Sequence, residues 1–309
     1  MVELFLKKRL DSGEPVLMDG AMGSEIEHRG LPTTLPLWSA EALLTHPEMV
    51  LRIHKEYIEA GAEIIITNTF RTTRRAFAQR GMAEEAAMAT ALACTLARDA
   101  RASVQTNSRV LIAGSIAPLE DCYSPQLTPP QPEIEAEHAE LVPQLKAGGV
   151  DFILLETMIT ARETLSGMQA ALRSEMPFAV SFCCDENLSL LGGEPLEDVV
   201  HKVEPFSPLF IGVNCVSTDT ATRTVKHLRT ITSLPISVYA QGDGLADIAR
   251  GWKMTEERHL HTYLQAASEW LASGAQLIGG CCGTTPDYIR ALQQLRSGDM
   301  KPVSQSPLL

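Results

Sequence analysis

The chain lacks the features that would send it to a membrane, a nucleic acid or an oxidising compartment. No apolar run approaches the ~20 residues of a membrane span. The opening stretch MVELFLKKRLDSGEP interrupts its apolar residues with charges, which does not fit a signal peptide. Basic residues are in deficit: 26 Lys and Arg against 38 Asp and Glu leave a formal charge of −12. With no basic stripe, neither nucleic acid nor an anionic membrane surface is an expected partner. Seven cysteines make an odd number in a 309-residue chain, which argues against a disulfide framework. The expected location is therefore cytoplasmic. The glycines of DGAMGSEIEHRG lack the G-x-G-x-x-G spacing of a dinucleotide fold, and no cysteine pair has C-x2-C spacing.

What is present is an ordinary globular composition, 45% hydrophobic and 21% charged, with mean hydropathy near zero. Apolar, β-branched runs alternate with longer helical patterns. The expected strands are 15–20, 62–69, 109–115, 150–157, 177–183, 209–215, 235–241 and 275–281. Continuous rather than alternating apolar character means strands buried on both faces, as in a parallel sheet. The helical patterns HPEMVLRIHKEYIEAGA and TYLQAASEWLASGA each end at a glycine, the usual C-terminal stop. Eight such units predict a single-domain (β/α)8 barrel over residues 1–298, with a flexible tail over 299–309. The proline-rich segment 123–137 reads as a long loop on the rim.

In a barrel of this kind the chemistry belongs at the C-terminal strand ends. Those ends carry Asp19, Thr67, Asn68, Ser115, Glu156, Cys215 and the doublet Cys281–Cys282. Cys215 ends the sixth strand and the doublet follows the eighth, so three cysteines converge on one mouth. Adjacent cysteines can be inert small hydrophobes, a vicinal disulfide or two ligands of one metal. Three thiolates with an open fourth position is a catalytic zinc arrangement. Buried cysteines with no metal are the bland alternative. His201, His227, His259 and His261 fall in helical stretches and supply no convincing fourth ligand, Cys94 reads as core, and Cys183 and Cys184 read as structural.

VNCV, GGCCG and MDGAMG, in that relation on an eight-unit chain, resemble the homocysteine S-methyltransferase family, as do LWSAEALLTHPEMVLRIHKEYIEAGA, ITNTF and LLET. The resemblance runs over roughly residues 10 to 296. It implies Zn2+ held by Cys215, Cys281 and Cys282, and methyl transfer from a small-molecule donor to the homocysteine thiolate, giving methionine. It implies that Asp19 and Glu156 hold the homocysteine ammonium. The backbone N–H groups around Gly20 and Ala21, with Thr67, are then candidates for its carboxylate. Trp38 matches a position near the donor, where an indole face suits a cation.

LWSAEA and CCGTTPDYIRAL are most like the short branch that uses S-methylmethionine or S-adenosylmethionine. The chain has no folate- or cobalamin-binding domain and no long C-terminal arm, which would disfavour the cobalamin and betaine branches. Arg71 departs from the family, standing where relatives carry a neutral residue; it would repel a donor cation unless it pairs with the donor's carboxylate or a neighbouring acid. The alternatives are a betaine-type or corrinoid/methylfolate-dependent module, or a non-catalytic zinc- or thiol-binding barrel. Association into a homo-oligomer stays open.

Overall fold

The continuous apolar runs become parallel strands, buried along their length except at Ile66. The computed structural model describes residues 2–106, 108–247, 251–253 and 259–297; the expected tail 299–309 lies outside them. In chain order the strands are β1 (Val16–Leu17), β2 (Ile64–Ile66), β3 (Leu111–Ile116), β4 (Phe152–Met158), β5 (Phe178–Phe182), β6 (Ile211–Asn214) and β7 (Ile236–Ala240). They are followed by β8 (Leu245–Asp247), β9 (Gly251–Lys253) and β10 (Leu277–Gly280).

Eight of them form one sheet in the order β1-β10-β7-β6-β5-β4-β3-β2. A parallel bridge between Met18 and Ile64 joins the two ends and closes the ring. This is the expected (β/α)8 barrel. All eight expected strands are present, most of them shorter than the apolar runs, because the terminal residues leave the ladder to form loops. β8 and β9 pair antiparallel as a separate hairpin that the sequence reading did not anticipate.

Side-chain parity separates two apolar layers. Leu111, Ala113, Phe152, Leu154, Ala179 and Tyr239 fill the barrel interior. Their neighbours Ile112, Ile153, Leu155, Val180 and Val238 pack outward in the cluster shared with the surrounding helices. The helix Val2–Asp11 plugs the N-terminal end of the barrel with Val2 and Leu6. Beside it, the Arg9 guanidinium donates to Glu63 at 2.8 Å, and Arg296 pairs with the same carboxylate from the other side. This end of the barrel is closed by apolar packing and ion pairs, which leaves the opposite end for chemistry.

Two expectations need correction. Segment 123–137 is not one long loop: a 3₁₀ turn spans Pro125–Leu127 and a helix begins at Gln131 and runs to Ala147. Pro132 lies in its first turn, where a missing N–H costs no hydrogen bond, so a proline-rich stretch can still be helical. Among the four histidines, His201, His227 and His261 are helical as expected, but His259 is the N-cap residue of the helix Leu260–Ala272 rather than part of it. No helix among the described residues is long and apolar enough to cross a membrane.

Candidate metal centre and substrate cavity

Cys215 follows β6, and Cys281 and Cys282 follow β10, with β7 between those strands in the ring. Their three sulfurs all lie within 4.8 Å of one another, and Cys215 Sγ is 3.9 Å from Cys282 Sγ. Thiolates bound at about 2.3 Å in a tetrahedron place their sulfurs about 3.8 Å apart. The trio therefore has the spacing of three ligands on one ion. No other group of three or more His, Cys, Asp or Glu side chains gathers this tightly among the described residues. The turn after the doublet needs glycine: Gly283 has φ +80°, and a Cβ there would collide with the backbone of Asp243.

The three thiols influence one another strongly. Hydrogen bonds from Cys215 and Cys282 favour a thiolate at Cys281 and lower its pKa. The same contacts, followed by burial, push Cys282 upward, and Cys215 is raised, first by its hydrogen bond with Cys281. One negative charge thus forms readily on the cluster and the next two resist, which is the condition a cation relieves.

Glu156 continues the inward parity of Phe152 and Leu154 and so points into the barrel mouth. Ser115 on the neighbouring strand donates its hydroxyl to Glu156 Oε1. The Tyr239 hydroxyl lies near the carboxylate without a well-aligned hydrogen bond. Burial raises the Glu156 pKa to about 7. Asp19 accepts from the Ile66 N–H at 2.8 Å through Oδ2, while Oδ1 is buried without a partner; burial, then Ile66 in the opposite sense, then Glu156, set its pKa well above the usual range. Neither acid meets a basic side chain among the described residues. Asp19 does not cap a helix, since the N-cap of the helix Gly23–His28 is Met22.

A cavity of about 280 Å³ joins these groups, lined by Gly20, Ala21, Trp38, Thr67, Arg71, Glu156 and all three cysteines. Asp19 stands behind this wall, at 2% exposure. The structure thus brings the expected residues together, with two qualifications. The Ala21 N–H is already engaged by Thr284 Oγ1 at 3.2 Å. The Thr67 hydroxyl is shared between Thr69 Oγ1 and the Ser115 N–H.

Trp38 packs edge-on against Phe70 with ring centroids 5.6 Å apart, and its indole Nε1 is buried without a partner. Arg71 is 7% exposed. One nitrogen reaches the Leu119 carbonyl at 3.5 Å, Nε has no partner, and no acid pairs with it among the described residues.

Sequence reasoning missed Cys122, Tyr123 and Tyr239, which also line the cavity. It also missed the part played by Asn214. Asn214 Oδ1 accepts from the Thr157 N–H and its Nδ2 donates to Thr157 Oγ1, both at 2.8 Å. Thr157 and Cys215 both hold left-handed backbone, at φ +57° and +58°. Such conformations are strained for non-glycine residues and persist where surrounding contacts enforce them. One amide side chain therefore couples the strained residue after Glu156 to the strand end that leads into the strained Cys215.

Fold and site together define a (β/α)8 barrel with three cysteine sulfurs gathered at the mouth, spaced as a metal could hold them. The sequence profile of the homocysteine S-methyltransferase family matches residues 16–295, and the chain belongs to that family. It is 33% identical over 304 residues to the homocysteine S-methyltransferase of Escherichia coli strain K12, covering 93% of this chain and 97% of that one. Homocysteine S-methyltransferase YbgG of Bacillus subtilis strain 168 is 29% identical over 300 residues, covering 92% and 95%. The solved structure of the homocysteine methyltransferase MmuM from Escherichia coli, in its metallated form, superposes with a TM-score of 0.82 at 30% identity, covering 93% and 98%.

Asn214→Leu keeps the branched outline, with somewhat bulkier ends, but leaves the buried Thr157 N–H without its acceptor. Loss of such a partner costs about 1–3 kcal/mol, so the urea midpoint of the metal-free protein should fall accordingly. A midpoint equal to that of the parent would show that the Asn214 clamp does not hold the two strand ends.

Proposed function

We propose that the chain moves a methyl group from a compact cationic donor to the sulfur of homocysteine, giving methionine, with zinc as the ion held by Cys215, Cys281 and Cys282. The observation that carries this reading is a three-sulfur cluster opening into the same cavity as an acid that has no cation partner, Glu156. Zinc, when bound, supplies Lewis acidity that lets a substrate thiol, otherwise near pKa 8.5, ionise at neutral pH. In this reading Glu156, backed by Asp19, holds the substrate ammonium, which supplies the missing cation. The Gly20–Ala21 turn and Thr67 border the carboxylate end.

The Trp38 indole faces the donor cation. The new S–CH3 bond forms as the donor's C–S⁺ bond breaks, and its electron pair stays on the departing sulfide. No proton moves in that step. A cavity of about 280 Å³ sits at the lower edge of the ~300–1,000 Å³ typical of small-molecule sites. This favours S-methylmethionine over the bulkier S-adenosylmethionine.

Three measurements test the proposal. Purified protein should carry about one zinc, and Cys281→Ser should remove most of both metal and activity with the fold retained; full zinc retention in that variant would sink the assignment. For Glu156, the carboxylate is the form that binds an ammonium, and its pKa of about 7 sets the window. As pH falls through 7 the group takes up a proton, so kcat/KM for homocysteine should drop toward tenfold per pH unit. Glu156→Gln should raise the homocysteine KM strongly and abolish that limb, with zinc content unchanged. An unaltered KM together with a new pH dependence of the rate would instead point to proton transfer.

Arg71 is a buried cation with no acid paired to it among the described residues, so the anion it lacks is assigned to the donor's carboxylate. A hydrogen bond to a charged group contributes about 1.5–3 kcal/mol, or about ten- to a hundredfold in kcat/KM. Arg71→Gln should lose that much with S-methylmethionine while homocysteine recognition stays intact. Unchanged kcat/KM for every donor would remove Arg71 from substrate recognition.

A further inference from the structure

The segment after β3 crosses the cavity mouth and sets a phenol against the metal-ligating trio. Tyr123 Oη lies 3.2 Å from Cys215 Sγ and 3.3 Å from the Cys215 carbonyl oxygen. Gln241, the residue after β7, donates its side-chain N–H groups to Tyr123 Oη and to the Cys215 carbonyl, each at 3.0 Å. With an amide proton directed at the phenol oxygen, the phenol keeps its own proton to donate. The Cys215 carbonyl already accepts from Gln241 and faces the Cys183 thiol at 3.8 Å. The phenol proton has two acceptors within reach, that carbonyl at 3.3 Å and the sulfur at 3.2 Å, and the sulfur is the nearer.

The strap that carries Tyr123 is braced at several points. Glu163 accepts from the Leu119 N–H at 2.8 Å. Asp121 accepts from the Tyr123 N–H at 3.2 Å and from the Ser124 hydroxyl at 2.6 Å. Arg75 ties Glu120 to Glu133 and Glu137 at 3.2, 2.5 and 2.5 Å. The Tyr123 side chain also forms part of the cavity wall. A residue that merely covered the mouth would not need its hydroxyl fixed by Gln241 and its backbone by Asp121.

We infer that Tyr123 is a positioning residue of the metal centre: its hydroxyl donates to Cys215 Sγ, holding that ligand in its left-handed backbone and drawing electron density from one of the three thiolates. This rests on the reading of the cysteine trio as a metal site. Hydrogen bonds from outside the ligand set orient ligands and tune the metal, and their loss typically costs about 10–100-fold in metal affinity or activity. The same side chain lines the cavity, so the position of the strap and the electronics of the sulfur cluster are linked.

The test uses the full-length protein loaded with Co2+ in place of zinc, read by its sulfur-to-cobalt charge-transfer absorption. Tyr123→Phe removes only the hydroxyl, on a side chain whose ring is partly exposed. Its charge-transfer band should move to lower energy, because a thiolate that loses a hydrogen bond gives up charge more readily, with one metal still bound per chain. A chelator should also strip the metal about tenfold faster. Gln241→Leu, which releases the phenol, should move the band in the same direction by less. An unchanged band in Tyr123→Phe would overturn the inference and assign the phenol proton to the carbonyl oxygen. Absence of a sulfur-to-cobalt band in the parent protein would defeat the metal reading itself, a result distinguishable from failure of the Tyr123 assignment.

Discussion

Sulfurs from two strands that never touch can share one centre only because β7 stands between them as a spacer of fixed register. Asn214 pairs with Tyr239, and Gly280 pairs with Ala240. The next residues along β6 and β10 therefore reach the barrel mouth at nearly the same height. The Cys215 N–H reaches the Tyr239 carbonyl at 3.3 Å and the Cys281 N–H reaches Ala240 at 2.9 Å. A slip of one residue in either ladder would turn the side chains of that strand to the opposite face. The cluster thus depends on the apolar interior that fixes the register, and the interior depends on ring closure at Met18 and Ile64.

The charges of the mouth follow a second logic. Two carboxyl groups and one guanidinium are buried without partners of opposite charge among the described residues, an unfavourable arrangement in a folded chain by itself. Burial pushes both acids toward their neutral forms. A zwitterion reverses that effect, because its ammonium restores the carboxylate and its own carboxylate can meet a cation. In the proposed reading these groups are left unpaired so that two charged ligands can be told apart: the acids stand near the sulfur cluster and the arginine near the aromatic pair of Trp38 and Phe70. The separation of sign across one cavity gives each ligand a direction as well as a place.

The barrel and the sulfur trio were legible in the sequence because both are local. Continuous apolar runs mark strands buried on both faces, and each run is punctuated at its end by the polar residue or cysteine that enters the mouth. What was not legible depends on contacts between distant segments. Nothing near Ala21 reveals that its N–H is occupied by Thr284. Tyr123 looks like an ordinary loop residue, and Gln241 like an ordinary strand end, until the ring sets them beside Cys215. The Asn214 clamp on Thr157 joins two strands that have β5 between them. Tyr239 was hidden for another reason: in PISVYA every position is apolar or small, so the run carries no parity from which an inward face could be read. The proline-rich segment misled because proline, disfavoured in helix interiors, is welcome in a first turn, where Pro132 lies, and this helix even carries Pro143 inside it.

The chemistry also explains what the cavity wall does without. Among the described residues neither histidine nor lysine lines it, and the strongly shifted carboxyl group there, Glu156, is fixed from the side by Ser115. Hydrolytic sites need a group that passes protons back and forth during the reaction. Methyl transfer between sulfurs moves carbon, and the only proton to be lost leaves before that step, when the substrate thiol ionises. Such a reaction asks for two ligands in line and for charges that hold them, which is a demand on position rather than on acid–base strength. Left-handed backbone at Trp38, Thr157 and Cys215, with φ +47°, +57° and +58°, is where the structure meets that demand. Each such residue costs on the order of 1–3 kcal/mol, and each lies at or beside a wall of the cavity. Residues fixed in this way by a closed barrel cannot relax one at a time, so Trp38, the strand end at Thr157 and Cys215 are held in register with one another.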